Sequence, residues 1–423
     1  MMFNKLKGTR DIYSIDADIL NFIRNIFFET SRKYNFQYIE TPIIEETSLF
    51  IRSAGETSDI VSKEMYSFLD NGKRNISLRP EGTASTIRAF VENKINNLDS
   101  SKLFYFGPMF RYERPQKGRY RQFIQGGIEK IEKVSSDLVL SNFEIIKFAF
   151  DFLSSLKIKD FILEINNLGS LETRNKYIKI LKEYFLNFKD QLSEISLVRL
   201  EKNVLRILDD KTEANKDFVK NAPKLIDYLN EEEKAKFNDF IYLLDLFKIN
   251  YQINPNLVRG LDYYNDLVFE FVSESEALGS KSTILAGGRY NGMIQDFGGP
   301  NLNSIGFAFG VDRLMEIIKS NLQNYEELNI KPDILIGYLN QNEKEEILKM
   351  TYELRKEFNV ELINKTIDIK ELFRNYFKIQ PKVLLFKELN MNKNEIKIKN
   401  DRKELTIEFN TIDDFKKAII ELE

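Results

Sequence analysis

The stretch from Phe104 to Glu129 constrains the fold more than any other part of the chain. Two runs of strand-forming residues flank a loop over 114–120 that holds Pro115 and Gly118, so the pattern predicts two long antiparallel strands. Side chains alternate between faces along a strand. Arg111 and Glu113 then share a face of the first strand, and Arg121, Phe123, Gln125, Gly127 and Glu129 share a face of the second. If both rows look the same way, one surface carries two arginines, two carboxylates, an amide and an aromatic ring, with Gly127 leaving room for a ligand. Such a surface can hold a phosphate, an adenine ring on Phe123 and an ammonium group. The loop adds Arg114, Lys117 and Arg119. A solvated basic loop on an ordinary hairpin is the plainer account. A strand face that is polar throughout and interrupted by glycine packs poorly, however, and favours a binding surface.

Composition narrows the chemistry. The chain of 423 residues has no His, no Cys and no Trp. That excludes disulfides, thiolate nucleophiles, Cys-ligated zinc, a Ser-His-Asp triad and any imidazole base. Carboxylates, arginines and backbone dipoles remain, a set suited to phosphoryl or nucleotidyl chemistry in which fixed charge stabilises the transition state. Lys+Arg (62) and Asp+Glu (65) nearly cancel to a net charge of -3, so nucleic-acid contact needs local basic patches, and DNA is not an expected partner. No apolar run is long enough to span a bilayer. Met1 to Arg10 lacks the apolar core of a signal peptide. A cytoplasmic location is expected.

The length suggests two or three domains. Residues 15–34 have helical apolar spacing, with acidic residues in the first turn and basic ones in the last. Strands are expected at 76–79, 103–113 and 161–166, and helices at 84–95 and 141–155. Between 170 and 250, Tyr177–Phe188, Ala214–Leu229 and Glu231–Leu246 read as charged amphipathic helices, a helical module within a mixed body. The chain turns polar around Asn321–Lys331, before Pro332, which suggests a linker. Strand and helix then alternate (333–339, 343–358, 360–363, 369–378, 382–387), predicting a small α/β domain with a largely parallel sheet. No P-loop and no dinucleotide-binding glycine fingerprint occurs.

Further segments complete the pattern: Leu78-Arg-Pro-Glu-Gly-Thr83 between a strand and a helix, Leu257 to Tyr264 with Arg259 beside a glycine, Ala286 to Gly292, and Ser304 to Leu314 with Arg313 entering a helix. Together with Lys7-Gly-Thr-Arg-Asp11 and the hairpin, they resemble the histidyl-tRNA synthetase family of class II aminoacyl-tRNA synthetases over almost the whole chain. Phe110 to Phe123 looks like class II motif 2, Phe309-Gly-Val-Asp-Arg313 like motif 3, and Tyr38-Ile-Glu-Thr-Pro42 lies where motif 1, the dimer element, is expected.

The resemblance implies an α+β fold: an antiparallel-sheet class II catalytic domain over 1–325, a helical insertion over 170–250 and an α/β anticodon-binding domain over 332–423. It implies that L-histidine and ATP, the latter with Mg²⁺, form histidyl-adenylate, and that histidine passes to the 3′ end of tRNA(His). Histidine would be bound by Glu81, Gly82, Thr83, Arg111, Gln125, Glu129, Arg259, Tyr263, Tyr264 and Tyr290. ATP would meet Arg111, Glu113, Arg119, Arg121, Phe123 and Arg313, with Arg119 and Arg121 facing the β- and γ-phosphates. Arg111, Arg259 and Arg313 would be catalytic, Gln116 would approach the tRNA acceptor end, and the protein would be a homodimer. The chain has Tyr112 and Ile124 where the family usually has His, and Gly126 where a larger apolar residue is usual. Alternation turns all three away from the ligand, so altered packing is expected rather than lost chemistry. Two rival readings share the fold: the synthetase-like regulatory subunit of ATP phosphoribosyltransferase, and a non-catalytic RNA-binding relative. The full arginine set and residues 332–423 argue against them.

Overall fold

The computed structural model describes every residue except 1–2, 56–57, 96–99, 209–212, 214, 259–260, 262, 280, 329–330, 389–390 and 423. The chain divides into two compact units, Met1–Tyr325 and Glu326–Glu423.

The first unit is built on strands β1 (Gln37–Tyr38), β2 (Ile44–Glu46), β3 (Tyr66–Leu69), β4 (Asn75–Leu78), β5 (Ser100–Phe110), β6 (Gln122–Glu132), β7 (Phe161–Asn167), β8 (Tyr251–Ile253), β9 (Asn265–Ser273), β10 (Ser282–Arg289) and β11 (Asn303–Gly310). Eight of them form one sheet in the order β1-β5-β6-β11-β10-β9-β7-β8, and β2-β4-β3 form a small separate sheet. The large sheet is antiparallel except at its edges, where β1 runs parallel to β5 and β8 to β7. The hairpin is present, but its ladder ends at the Phe110–Gln122 pair, short of the expected residue 113. Beyond it the Arg111 N–H still donates to the Arg121 carbonyl at 2.9 Å.

The helices Ile15–Lys33 and Leu138–Ser155 cover one face of the sheet. Phe27 is fully buried there, and its ring meets Phe104, Phe106, Phe148, Phe152 and Phe309 at centroid distances of 4.8–6.3 Å. Gly126 looks into this core: a Cβ on it would stand 2.4 Å from the Phe309 ring. The turn of Gly126 away from the ligand side, expected from alternation, therefore serves aromatic packing.

Within residues 170–250, Tyr177, Leu181, Phe185, Leu200 and Phe218 share an apolar cluster that also takes in Leu257, Tyr264 and Val268. The first helix of this stretch spans Leu171–Leu186, capped by the Ser170 side chain, which accepts from Thr173 N–H. Glu231–Leu246 is a helix with a capping box at Asn230 and Glu233. The single helix expected over Ala214–Leu229 is not there. Ala214 lies outside the described residues, and a short turn at Asp217–Lys220 and a 3₁₀ turn at Leu225–Tyr228 flank Pro223. Proline lacks the N–H a helix interior needs and clashes with the preceding turn.

In the second unit, β12 (Ile334–Ile336), β13 (Val360–Leu362), β14 (Val383–Phe386), β15 (Glu395–Lys399) and β16 (Glu404–Glu408) form a sheet in the order β13-β12-β14-β15-β16. Helices Lys344–Leu354, Ile369–Ile379 and Ile412–Leu422 pack on it. The largely parallel sheet expected from sequence is corrected to a mixed one: β12 is parallel to β13 and β14, while β14-β15 and β15-β16 are antiparallel. Strand residues alternate between two cores, Ile334 and Ile336 on one side and Leu335 on the other.

The space over Gly127 is also reassigned. A Cβ there would lie 2.4 Å from the Tyr105 hydroxyl, and a Cβ on Gly82 would lie 2.2 Å from the Tyr105 ring. Tyr105 pairs with Gly127 across the hairpin. Gly127 thus makes room for a buried tyrosine of the next strand, not for a ligand as its position suggested. Gly127→Ala should overpack this contact and destabilise the first unit by about 1–3 kcal/mol, read as a lowered Tm. A variant as stable as the parent would show that Tyr105 has another place to go.

Candidate active site

Glu129 sits on the open face of β6 with its carboxyl buried. Thr83 Oγ1 donates to one oxygen at 2.6 Å, and the Tyr290 hydroxyl donates to the other. Gly306, its partner on β11, is the reason the carboxyl fits, because a Cβ there would stand 2.0 Å from Glu129 Oε2. Tyr290 reaches the cluster at the end of β10. Arg289, one residue earlier, points to the other side of the sheet, where it is fully buried and donates to Asn142 Oδ1 (2.6 Å) and Glu132 Oε1 (3.2 Å).

Glu81, also buried, lies between β4 and the Thr83–Glu92 helix and turns its carboxylate onto the helix start. It accepts from Thr83 N–H at 2.6 Å and Ala84 N–H at 2.9 Å. The free N–H groups of a first helical turn favour a carboxylate there. Gln125 Oε1 accepts from Gly82 N–H at 3.0 Å. The Tyr263 ring lies tilted 4.5 Å from that of Tyr264 and edge-on 5.8 Å from that of Tyr290. Glu81, Gly82, Thr83, Gln125, Glu129, Tyr263, Tyr264 and Tyr290 are therefore brought together; Arg259 lies outside the described residues.

Burial dominates the electrostatics here. It lifts Glu129 from the usual carboxyl range to about 8, against the hydrogen bonds from Thr83 and Tyr290, and the Glu81 charge adds to the rise. Burial likewise raises Glu81, offset in part by the two backbone N–H groups and by Arg111. Desolvation of an ionised carboxyl is the common cause. Tyr105, which no motif singled out, also borders this cluster; burial and the charges of Glu129 and Glu81 raise its pKa well above the ordinary tyrosine value. Its signal was in the alternation, because it shares parity with Arg111.

Beside the carboxyl cluster lies a second, cationic hollow. Arg111, Glu113, Arg119, Phe123, Gln125 and Arg313 are among the residues that line a cavity of about 130 Å³. Arg111 donates through Nε to the Pro80 carbonyl at 2.9 Å, and its guanidinium lies 5.3 Å from the Phe123 ring centroid. Glu113 bridges Arg111 at 3.8 Å and Arg119 at 3.4 Å. Arg313 enters the helix Val311–Ser320 straight from β11 and donates to the Thr283 carbonyl. Burial lowers its pKa, and the positive charges of Arg119 and Arg111 lower it further. Three arginines line this hollow and only Glu113 lies between two of them, so the positive excess attracts an anion.

Two loop expectations resolve differently. Gln116 is exposed in the hairpin loop, where it pairs with Arg119, open to a large partner. Arg121 does not join the cavity. Its guanidinium lies 3.8 Å over the Tyr112 ring and reaches the Lys7 carbonyl at 3.4 Å. The pairing ends at Gln122, so strand parity no longer governs where residue 121 points.

An antiparallel sheet, a motif 2 hairpin that puts Arg111 and Arg119 on the cavity, and Arg313 facing them from the helix that follows the last strand define a class II aminoacyl-tRNA synthetase. The sequence model of the family described as histidyl-tRNA synthetase matches residues 8–314. A histidine–tRNA ligase of Mycoplasmopsis pulmonis is 47% identical over 400 residues, covering 95% of this chain and 93% of the relative. One of Mycoplasma mobile is 46% identical, covering 94% and 88%. The apo crystal structure of S. aureus histidyl-tRNA synthetase superimposes with a TM-score of 0.81 at 30% identity over 100% of both chains. The chain belongs to the histidyl-tRNA synthetase family, and its activity is that of a histidine–tRNA ligase, which uses ATP. The regulatory-subunit reading has less support, since these relatives are ligases. Among the described residues no helix is long and apolar enough to cross a membrane.

The raised Glu129 predicts a stability signature. A carboxyl whose folded pKa lies near 8 binds its proton more tightly folded than unfolded. Its contribution is complete below the unfolded value of about 4.3 and is lost as pH rises towards 8. Without substrates, the Tm of the parent should therefore fall relative to that of Glu129→Gln between pH 5 and 8, by a few degrees. A difference between the two proteins that stays constant across this range would mean that Glu129 is ionised throughout.

Proposed function

We propose that the cluster around Glu129 takes the imidazole of L-histidine, that Glu81, Thr83 and Gln125 take its ammonium group, and that the arginine-lined cavity takes ATP. The observation that carries this reading is the position of Gln125. It accepts from Gly82 beside Glu81, yet also lines the cavity with Arg111 and Arg313. An amino acid and a nucleotide in these two hollows would meet at Arg111.

The residues then divide the work. Tyr263, Tyr264 and Tyr290 wall the ring, and Glu129 accepts a ring N–H. Phe123 and Arg313 sandwich adenine, which Glu113 reads by accepting from its amino group. Arg119 meets the distal phosphates. The histidine carboxylate oxygen attacks the α-phosphorus, forming an O–P bond as the bond to pyrophosphate breaks. Arg111, with Arg259 by resemblance, stabilises the charge that gathers on the α-phosphate oxygens. Mg²⁺ accompanies ATP as the counter-ion of its phosphates. The terminal hydroxyl of tRNA(His) next attacks the acyl carbon and releases AMP, with Gln116 beside the acceptor end and residues 332–423 on the anticodon.

Arg111→Ala should slow histidine-dependent ATP–pyrophosphate exchange by about 10²–10³ with the fold intact by circular dichroism. Exchange within threefold of the parent would remove Arg111 from the chemistry.

We also propose a homodimer. Tyr38, Ile43, Ile44, Phe68 and Leu69 are large apolar side chains that stay exposed on β1, on the β2–β3 sheet and beside it, a patch that calls for cover. Ile44→Asp should shift the protein to a monomer in sedimentation velocity at micromolar concentration. A parent that already sediments as an active monomer would overturn the assignment.

A further inference from the structure

The segment before the first helix lies against the cationic cavity's walls, and it contains an arginine that none of the roles above uses. The Gly8 carbonyl accepts from Arg121 N–H at 2.7 Å. Gly8 has φ +88°, and a Cβ on it would stand 2.8 Å from the Arg121 side chain and 3.0 Å from Pro115, so only glycine passes here without strain. Two residues on, Arg10 is mostly buried. Its guanidinium lies 4.5 Å from the centroid of the Tyr120 ring, and Nη2 donates to Asp312 Oδ1 at 2.5 Å. Asp312 is itself buried, and its second oxygen accepts from Ile124 N–H at 3.1 Å. Tyr120 and Asp312 both line the cavity. They belong to its two separate walls: Tyr120 to the hairpin loop, Asp312 to the helix that carries Arg313.

We infer that Arg10 is a positioning residue for ATP: by stacking on Tyr120 and pairing with Asp312, it sets the gap between the Arg111–Glu113–Phe123 wall and Arg313. The inference rests on the reading of this cavity as the ATP site. Arg10 touches no substrate in this scheme. Its planar guanidinium suits one face to a ring and one edge to a carboxylate at once, which a lysine cannot do. Without it, the buried Asp312 carboxylate loses its cation at the start of the helix that carries Arg313.

The test uses the full chain and histidine-dependent ATP–pyrophosphate exchange, with separate KM values for ATP and histidine. Arg10→Met should raise the ATP KM about tenfold, as a small misplacement of binding groups does, and leave the histidine KM within about twofold. Asp312→Asn should act in the same direction. The double variant should be no worse than Arg10→Met alone, because both changes break one interaction. Additive effects, or equal rises in both KM values, would overturn the inference. Should Arg10→Met fail to fold, Arg10→Lys and Tyr120→Leu keep the charge pair and remove the stacking, and an unchanged ATP KM in both overturns it as well. Arg313→Ala separates the two levels. If it leaves the ATP KM unchanged, the ATP-site reading itself fails. If it raises that KM while Arg10→Met does not, only the role of Arg10 fails.

Discussion

Strand β6 has to satisfy two opposite environments on alternate residues. Ile124, Gly126 and Ile128 face the helices, where Phe27, Phe106 and Phe309 pack. Gln125, Gly127 and Glu129 face the open side, where a carboxyl must be buried and still reach hydrogen-bond donors. A slip of one residue would put Glu129 among phenylalanines and Ile128 in the pocket. The eleven-pair ladder with β5 and the eight-pair ladder with β11 prevent that slip, so the apolar core and the polar pocket specify one register between them.

The glycines of this face are set by their neighbours. Gly306 is opposite Glu129 because the carboxyl needs the volume a side chain would take, and Gly127 is opposite Tyr105 because a ring crosses there. The pocket is thus shaped by volume left out of the backbone on adjacent strands. Two acids are then buried in the space, and their raised pKa values are the cost of that burial. In the proposed histidine complex, the ligand's ammonium group would bring a positive charge to Glu81 and its ring an N–H to Glu129.

Much of this was legible in the sequence, and the failures have physical causes. The hairpin and its polar row followed from period-two alternation, which holds wherever the ladder holds. Arg121 escaped because the rule ends with the ladder, one residue away at Gln122. Gly127 was misread because a glycine announces a space without saying what fills it; Tyr105 on the partner strand does. The expected helix over 214–229 ignored Pro223. In the second unit, Glu395-Ile-Lys-Ile-Lys399 and Glu404-Leu-Thr-Ile-Glu408 alternate as strands should, but they lie beyond the five alternating elements from which the sheet was judged parallel. The Arg10–Asp312 pair had no local signal at all.

That pair joins residues 302 positions apart. On a ribosome, the segment around Arg10 emerges long before Asp312 and finds its partner only after the helix beginning at Val311 has followed β11 out of the exit tunnel. The hairpin that the segment supports is complete long before, yet the far wall of its cavity does not exist. Nascent chains up to that point can pack the aromatic core around Phe27 in part, but they cannot close the cationic hollow. Vectorial synthesis therefore makes completion of this hollow a late event, so a chain that stops short of residue 312 displays the motif 2 arginines without the geometry to use them.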